Sequence, residues 1–203
     1  MRLIARWLRN WFKFGLFALM LTVVVACGGT TSDGSPYSPE PAPDVNASMG
    51  TPTGAIAQTT MVGLESNPDI KGQITLEETT DGLKLQGQFV NVPPGLHGIH
   101  IHEGSSCAEA GSAAGGHFNP RQVKHGDLKA EGFENAHAGD LGNLDASADG
   151  TADWQIEIPG LALDEGDFAV SGRAMILHAD PDDFGQPTGN AGGRIACGII
   201  EAQ

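Results

Sequence analysis

The side chains best suited to chemistry in this 203-residue chain are its seven histidines. His100 and His102 stand two residues apart in the segment Gly-Ile-His-Ile-His, whose alternation is typical of a β-strand. Alternate side chains of a strand project from the same face, so these two imidazoles can reach one metal ion. Two histidines in this arrangement lie more often on a solvated strand face than in a metal site. Without further evidence, that alternative stays open.

A second group of candidate ligands falls in a glycine-rich stretch with few strand-forming residues. The group consists of His117, His125, His137 and Asp140. A long loop of this composition needs something to hold it in place, and a bound metal ion would do so. Imidazoles with one carboxylate suit Zn²⁺ in a closed tetrahedral site, whereas an all-imidazole set suits copper.

The elements that must position these residues are predicted to be strands. Between residues 73 and 89 apolar and polar residues alternate on both sides of Asp81-Gly82, a dipeptide typical of a β-hairpin. Similar patterns occur around Asp149-Gly150, at 174–177 and at 195–200, and no long helical stripe is visible in the sequence. Short strands with Gly- and Pro-rich turns predict an antiparallel sandwich or barrel.

Residues 1–26 have the organisation of a signal peptide. A basic segment precedes an apolar run of about 13 residues, which is too short to span a bilayer of roughly 30 Å. The sequence Val24-Val25-Ala26-Cys27 resembles the lipobox of bacterial lipoproteins, which implies cleavage before Cys27 and lipidation of its thiol. An ordinary secretory signal and an uncleaved membrane anchor are the alternatives, and both also export the chain.

Composition divides the rest of the chain into two parts. Residues 27–53 are rich in Gly, Ser, Thr and Pro, so we expect a flexible linker that begins at the lipidated cysteine. Residues 54–203 carry the strand patterns and form the predicted folded domain. The chain is 40% apolar and 18% charged, which excludes disorder throughout and a collagen-like fold.

The charge of the chain is strongly negative, with 11 basic against 25 acidic residues. Removal of the signal peptide and its four basic residues leaves 7 against 25, a net charge of −18. Nucleic-acid binding is therefore excluded, because few cations remain to build a basic face. Arg121, Lys124 and Lys129 form the basic cluster that remains in the domain.

Four segments, taken together, make the sequence similar to the copper/zinc superoxide dismutase family. They follow in order along the domain: GLHGIHIHE at 95–103, GHFNP at 116–120, HAGDLGN at 137–143 and GNAGGRIACG at 189–198. The resemblance implies an all-β fold, an eight-stranded antiparallel Greek-key barrel or flattened sandwich with long metal-binding loops. It also implies an enzyme with one copper and one zinc ion per chain, which converts two superoxide anions to O₂ and H₂O₂ by alternate reduction and reoxidation of copper.

The resemblance assigns a role to each site residue. It implies two ligand sets that share His117 as a bridge: His100, His102, His117 and His178 for copper, and His117, His125, His137 and Asp140 for zinc. His97 would support the copper site without binding the ion, and Asp182 would link a copper-bound to a zinc-bound histidine. Arg194 would dock superoxide beside copper, and His117 would take up and return a proton. A solvated turn aspartate and a simple loop cation are the alternatives for Asp182 and Arg194.

The resemblance also implies an intrasubunit disulfide between Cys107 and Cys197, which export to an oxidising compartment permits. The expected location is a membrane-anchored lipoprotein that faces the periplasm or the cell exterior. The segment from His178 to Arg194 contains no Lys or Arg, so the charged steering cluster of eukaryotic members is absent. A homodimer is left open. Two other classes also stay open, a copper-buffering module with the same ligands and an envelope structural domain with vestigial sites.

Overall fold

A computed structural model describes residues 50–203, so the predicted signal peptide and Cys27 lie outside the described residues. Strands dominate this part of the chain. Two short helical segments, a 3₁₀ turn at Ser112–Ala114 and α1 at Leu128–Glu131, lie in the long loop before β5. The strands are β1 Pro52–Gly63, β2 Lys71–Thr79, β3 Gly82–Val90, β4 Gly95–Ile101, β5 Asp140–Ala146, β6 Ala152–Pro159, β7 Ala174–His178, β8 Arg194–Ile199 and β9 Glu201–Ala202. Among residues 50–203, no helix is long and apolar enough to cross a membrane.

Eight of these strands form one antiparallel sheet in the order β5-β4-β7-β8-β1-β2-β3-β6, and the short β9 pairs with β1. The first and last strands of this order, β5 and β6, are in contact, so the sheet nearly closes on itself. β4 follows β3 in the chain but not in the sheet, which is the crossing connection of a Greek key. The predicted eight-stranded antiparallel barrel is confirmed.

The core lies inside the barrel because each strand buries every second side chain. In the predicted hairpin, Leu76 of β2 stands opposite Leu85 of β3, and both side chains are fully buried. The predicted inner face of β6 is buried along its whole length: Ala152, Trp154, Ile156 and Ile158. The sequence period of two therefore identifies the core-facing residues of this hairpin and of β6.

The same alternation sends the side chain of His100 in β4 away from the core. Ile99 and Ile101 belong to the apolar core, so His100 and the following His102 project from the other face, toward the loops. The loop from 102 to 139 covers this face. A disulfide between Cys107 and Cys197 joins the loop to β8, with Cα atoms 5.8 Å apart. The predicted disulfide is present, and closing its 90-residue loop contributes about 4 kcal/mol in the chain-entropy model.

Candidate metal centre

Four histidines from three parts of the fold lie close together on the face of β4 that points away from the core. Their candidate donor atoms all lie within 4.8 Å of one another, and all four residues are buried: His100, His102, His117 and His178. His100 lies in β4, His102 directly follows the last residue of that strand, and β7 ends at His178. His117 comes from the loop and pairs with His102 through an isolated β-bridge. An all-imidazole set of this kind suits copper.

A second buried group forms around the carboxylate of Asp140, the first residue of β5. The Nδ1 atoms of His117 and His137 lie 2.8 and 3.1 Å from its Oδ1 atom. His125 Nδ1 lies 2.9 Å from the other oxygen. Three imidazoles and one carboxylate are the ligand types of a closed zinc site.

The two groups share His117. Its Nδ1 atom points at Asp140, so Nε2 is the nitrogen that remains for the four-histidine group. The ring centres of His100 and His117 are 4.1 Å apart, and those of His117 and His137 are 5.6 Å apart. One imidazole therefore has a nitrogen available to each group.

Several ring nitrogens in these groups are buried without a hydrogen-bond partner among residues 50–203. They are His100 Nδ1, His102 Nε2 and His178 Nε2. Leaving a buried polar atom unpaired costs about 1–3 kcal/mol, so three such atoms in one place need a common explanation. All three belong to the four-histidine group, and nitrogen donors aimed at a metal ion account for them. The residues present thus fit a copper ion and a zinc ion.

The carboxylate of Asp182 contacts one histidine of each group, on the side of the ring that faces away from the candidate ion. Its carboxylate lies 2.8 Å from His100 Nε2 and 2.9 Å from His125 Nε2, and all three side chains are fully buried. Each ring is therefore held by the nitrogen that is not aimed at the candidate ion. This is the contact expected of a residue that orients ligands without binding the metal itself.

Backbone carbonyl groups hold the remaining rings. The carbonyl of Gly115 lies 3.0 Å from His102 Nδ1, and that of Gly192 lies 3.3 Å from His178 Nδ1. His97 is buried beside the site but belongs to none of the three metal-capable groups found among residues 50–203. Its ring nitrogens lie 2.9 Å and 2.7 Å from the carbonyl oxygens of His178 and Pro93.

Burial keeps three imidazoles of the four-histidine group neutral, those of His102, His117 and His178. It lowers the pKa of His102 to about 2, and repulsion from a protonated His117 and from the Arg194 guanidinium acts in the same direction. It also lowers the pKa of His178 to about 3 and that of His117 to about 4, although the contact with Asp140 opposes the shift of His117. A neutral imidazole is the form that binds a metal ion.

The carboxylates have the opposite effect on their neighbours. Burial by itself would lower the pKa of His125, but its contacts with Asp140 and Asp182 outweigh burial and raise that pKa to about 9. Burial would likewise raise the pKa of both carboxyl groups, yet hydrogen bonds from the histidines hold each pKa well below its usual value. Both aspartates are therefore ionised and supply negative charge to the site.

Arg194 stands at the edge of the four-histidine group, at the start of β8. Its guanidinium donates hydrogen bonds to the carbonyl oxygens of Gly111 and Gly115. Because Gly115 also holds His102 Nδ1, one peptide group places the arginine beside the candidate copper ligand. The loop between Cys107 and His117 thus positions the cation in addition to carrying the disulfide.

Within the predicted basic cluster, Arg121 differs from the two lysines. Lys124 and Lys129 are exposed, whereas Arg121 contacts Glu134. The Arg121 guanidinium also lies over the ring of Phe168, 5.1 Å from its centre. The charge of Arg121 is therefore partly offset by a neighbouring carboxylate.

Two residues that position the site were missed by the sequence reasoning. Asn143 binds the backbone of Asp182 on both sides, accepting from its N–H at 2.7 Å and donating to its carbonyl at 2.9 Å. Gln186 does the same for His125, at 3.3 and 2.7 Å. Asn143 lies in the HAGDLGN segment and could have been suspected. Gln186 has no local signal, because its partner is 61 residues away.

Comparison with known proteins agrees with this geometry. The sequence model described as "Copper/zinc superoxide dismutase (SODC)" matches residues 70–200. An extracellular superoxide dismutase [Cu-Zn] of Brugia pahangi is 33% identical over 194 residues, covering 91% of this chain and 96% of the relative. A crystal structure described as that of the clock protein EA4 superposes with a TM-score of 0.64 at 34% identity, covering 75% of this chain and 96% of that one.

The chain belongs to the copper/zinc superoxide dismutase family. The predicted family and enzyme class are confirmed, and so are copper and zinc as the cofactors.

The pKa values of the buried rings predict that the metal-free chain loses stability as the pH falls from 7 to 5. Unfolded histidines take up protons near pH 6.5, whereas burial keeps His102, His117 and His178 neutral until about pH 2 to 4. The unfolded state then binds more protons, and the free energy of unfolding falls by at least about 2 kcal/mol. His125 opposes this weakly, because its raised pKa of about 9 favours the folded state below pH 6.5.

Urea titration of the chelator-treated full chain at the two pH values measures this difference. Asp140 and Asp182 are ionised in both states across the interval, so they add no slope. Equal stability at pH 7 and pH 5, or greater stability at pH 5, would contradict the prediction.

Proposed function

We propose that the chain dismutes superoxide in the cell envelope, with copper bound by the four-histidine group and zinc by the group around Asp140. The observation that carries the ligand assignment is the position of His117. Its Nδ1 atom lies 2.8 Å from Asp140 Oδ1, and its Nε2 atom is left for the other group. When bound, copper supplies the redox chemistry, accepting an electron from one superoxide and giving one to the next.

The residues around that ion have separate tasks. Arg194 keeps N–H groups beyond those that bind the Gly111 and Gly115 carbonyls, and we assign these to the superoxide anion. A charge-assisted hydrogen bond of this kind holds the anion in one orientation. His117 holds and returns a proton at Nε2, the nitrogen on the side of the four-histidine group. Asp182 keeps the rings of His100 and His125 from turning.

A copper-buffering module would use the same ligands, so Arg194 separates the two functions. Storage of a cation gains nothing from a second cation beside the ligands, and the charge of Arg194 lowers the pKa of both His102 and His178. Docking an anion does require such a group. Pulse radiolysis of the copper- and zinc-loaded full chain tests the proposal, because a dismutase removes superoxide over many turnovers and a buffer does not.

The proposed location rests on the sequence and on two supporting observations. The disulfide between Cys107 and Cys197 suits an oxidising compartment, and the relative from Brugia pahangi is named as extracellular. The chain then comprises a lipoprotein signal peptide at 1–26, a lipidated Cys27 with a linker to residue 53, and the enzyme domain at 54–203. Such a linker would hold the domain away from the membrane surface.

The shared imidazole predicts different metal losses from two alanine variants. His117→Ala removes a ligand from both groups, so the affinity for copper and the affinity for zinc should each fall at least about tenfold. The content of both metals per chain should therefore decrease. His137→Ala removes a ligand from the second group alone and should weaken mainly zinc. Metal analysis after dialysis against a chelator decides between them. Full occupancy of both metals in His117→Ala would contradict the bridging assignment.

The position of Arg194 predicts that loss of its charge lowers kcat/KM more than loss of any other basic side chain of the chain. Arg194→Gln should lower kcat/KM at least about tenfold with copper content unchanged, because one charge-assisted hydrogen bond is lost. Arg121→Gln is the matched control, since Glu134 already offsets its charge, and it should change the rate less than twofold.

Raising the salt concentration above about 0.1 M should also lower kcat/KM. A rate that rises with salt would mean that repulsion by the net negative charge dominates.

The lipoprotein proposal predicts that Cys27→Ser changes the location of the chain and not its fold. The variant should leave the membrane fraction or accumulate as an unprocessed precursor, because the thiol is the only proposed attachment. Fractionation of cells that produce each form, followed by immunoblotting, measures this. A variant that is fully processed and still membrane-bound would rule out lipidation at this cysteine.

A further inference from the structure

Arg173, the residue before β7, makes three contacts with its guanidinium group. Nε donates to the carbonyl oxygen of Ala169 at 2.9 Å, and Nη1 donates to the carbonyl oxygen of Glu103 at 3.0 Å. The guanidinium carbon lies 3.6 Å from the centre of the Phe118 ring. The side chain is half-buried, and burial lowers its pKa from the usual value.

Two of these contacts fall on residues next to proposed copper ligands. Glu103 follows His102, and Phe118 follows His117. The two imidazoles belong to different segments of the chain, and their ring centres are 5.0 Å apart. Arg173 is therefore in contact with both segments at the point where they meet.

Phe118 transmits position well because its backbone is fixed on both sides. Its N–H donates to the carbonyl of Ile101 at 2.9 Å, and its carbonyl accepts from the N–H of Gly139 at 3.0 Å. The ring is 4% exposed and packs in the apolar core. A shift of Phe118 would thus move His117 relative to β4.

We propose that Arg173 is a positioning residue of the copper site, which fixes the separation of His102 and His117 by holding the two segments together. The proposal rests on the assignment of both histidines to copper made above. A guanidinium group stays protonated and has no acceptor atom, so Arg173 is not itself a metal ligand. It acts through Glu103 and Phe118.

The geometry explains why this position needs arginine. The guanidinium is planar, so its face can lie on an aromatic ring while its N–H groups donate in the plane of the group. Arg173 uses both properties at once, with Phe118 at the face and two carbonyl groups at the edge. A lysine ammonium has the same charge but cannot make this set of contacts.

Copper binding by the full chain tests the proposal without using activity. Wild type, Arg173→Met and Arg173→Lys are loaded with Zn(II) and titrated with Cu(II) against a competing chelator, and the visible absorption band of bound Cu(II) is recorded. Arg121→Met is the matched control, because it removes an arginine that also lies over an aromatic ring, that of Phe168. Thermal unfolding of each metal-free variant reports any loss of stability separately.

We expect Arg173→Met to raise the dissociation constant for Cu(II) about tenfold, at the lower end of the effect of residues that orient metal ligands. Its absorption band should shift, whereas Arg121→Met keeps the wild-type band and affinity. Arg173→Lys should resemble Arg173→Met, and it carries the test if Arg173→Met does not fold. A lysine variant with wild-type affinity and spectrum would overturn the proposal, because charge alone would then suffice. Failure of the wild type to bind Cu(II) would instead overturn the proposed function.

Discussion

Burial of six histidines and two aspartates in one place is the constraint on which the rest of the structure depends. Imidazole nitrogens that are buried without partners destabilise a fold by about 1–3 kcal/mol each, and Asp140 and Asp182 do not satisfy all of them. The remaining nitrogens converge from β4, β7 and the long loop, which is the arrangement that a bound cation stabilises. Metal binding and folding of this region are therefore linked, because the ligands are brought together only when the barrel has formed.

In the barrel, the strands bury the apolar core, and the strand ends and loops carry the histidines and aspartates. The second half of β4 is buried on both faces, with Ile99 and Ile101 toward the core and His100 toward the loops. The contacts that hold the loop from 102 to 139 include the disulfide to Cys197, the hydrogen bonds from Arg194 and the contact of Arg173 with Phe118. A long loop with only two short helical segments can thus present ligands at fixed positions.

The sequence predicts which histidines and aspartates lie together better than it predicts what holds them in place. The period of two along β2, β3 and β6 follows from burial of one face, so the core residues of these strands could be read directly. The family motifs identified the histidines and the cysteine pair. The carbonyl of Gly115, the amide of Gln186 and the guanidinium of Arg173 carry no such signal, because each acts through backbone atoms or through a residue distant in sequence. Such contacts exist only once the tertiary structure has formed.

The electrostatic field at the site depends on local charges and not on the net charge of the chain. The chain carries 25 acidic residues, yet distant carboxylates are screened within about 10 Å at 0.1 M salt. The field at the site is therefore set by the charges that lie there, the cation Arg194 and the carboxylates of Asp140 and Asp182.

The central claim is that one imidazole, His117, stands between two metal ions. Anomalous diffraction at the copper and zinc absorption edges, from crystals of the metal-loaded chain, tests it most directly. The account predicts a copper peak on the Nε2 side of His117 and a zinc peak on the Nδ1 side. A single metal peak, or two peaks that do not flank His117, would contradict it.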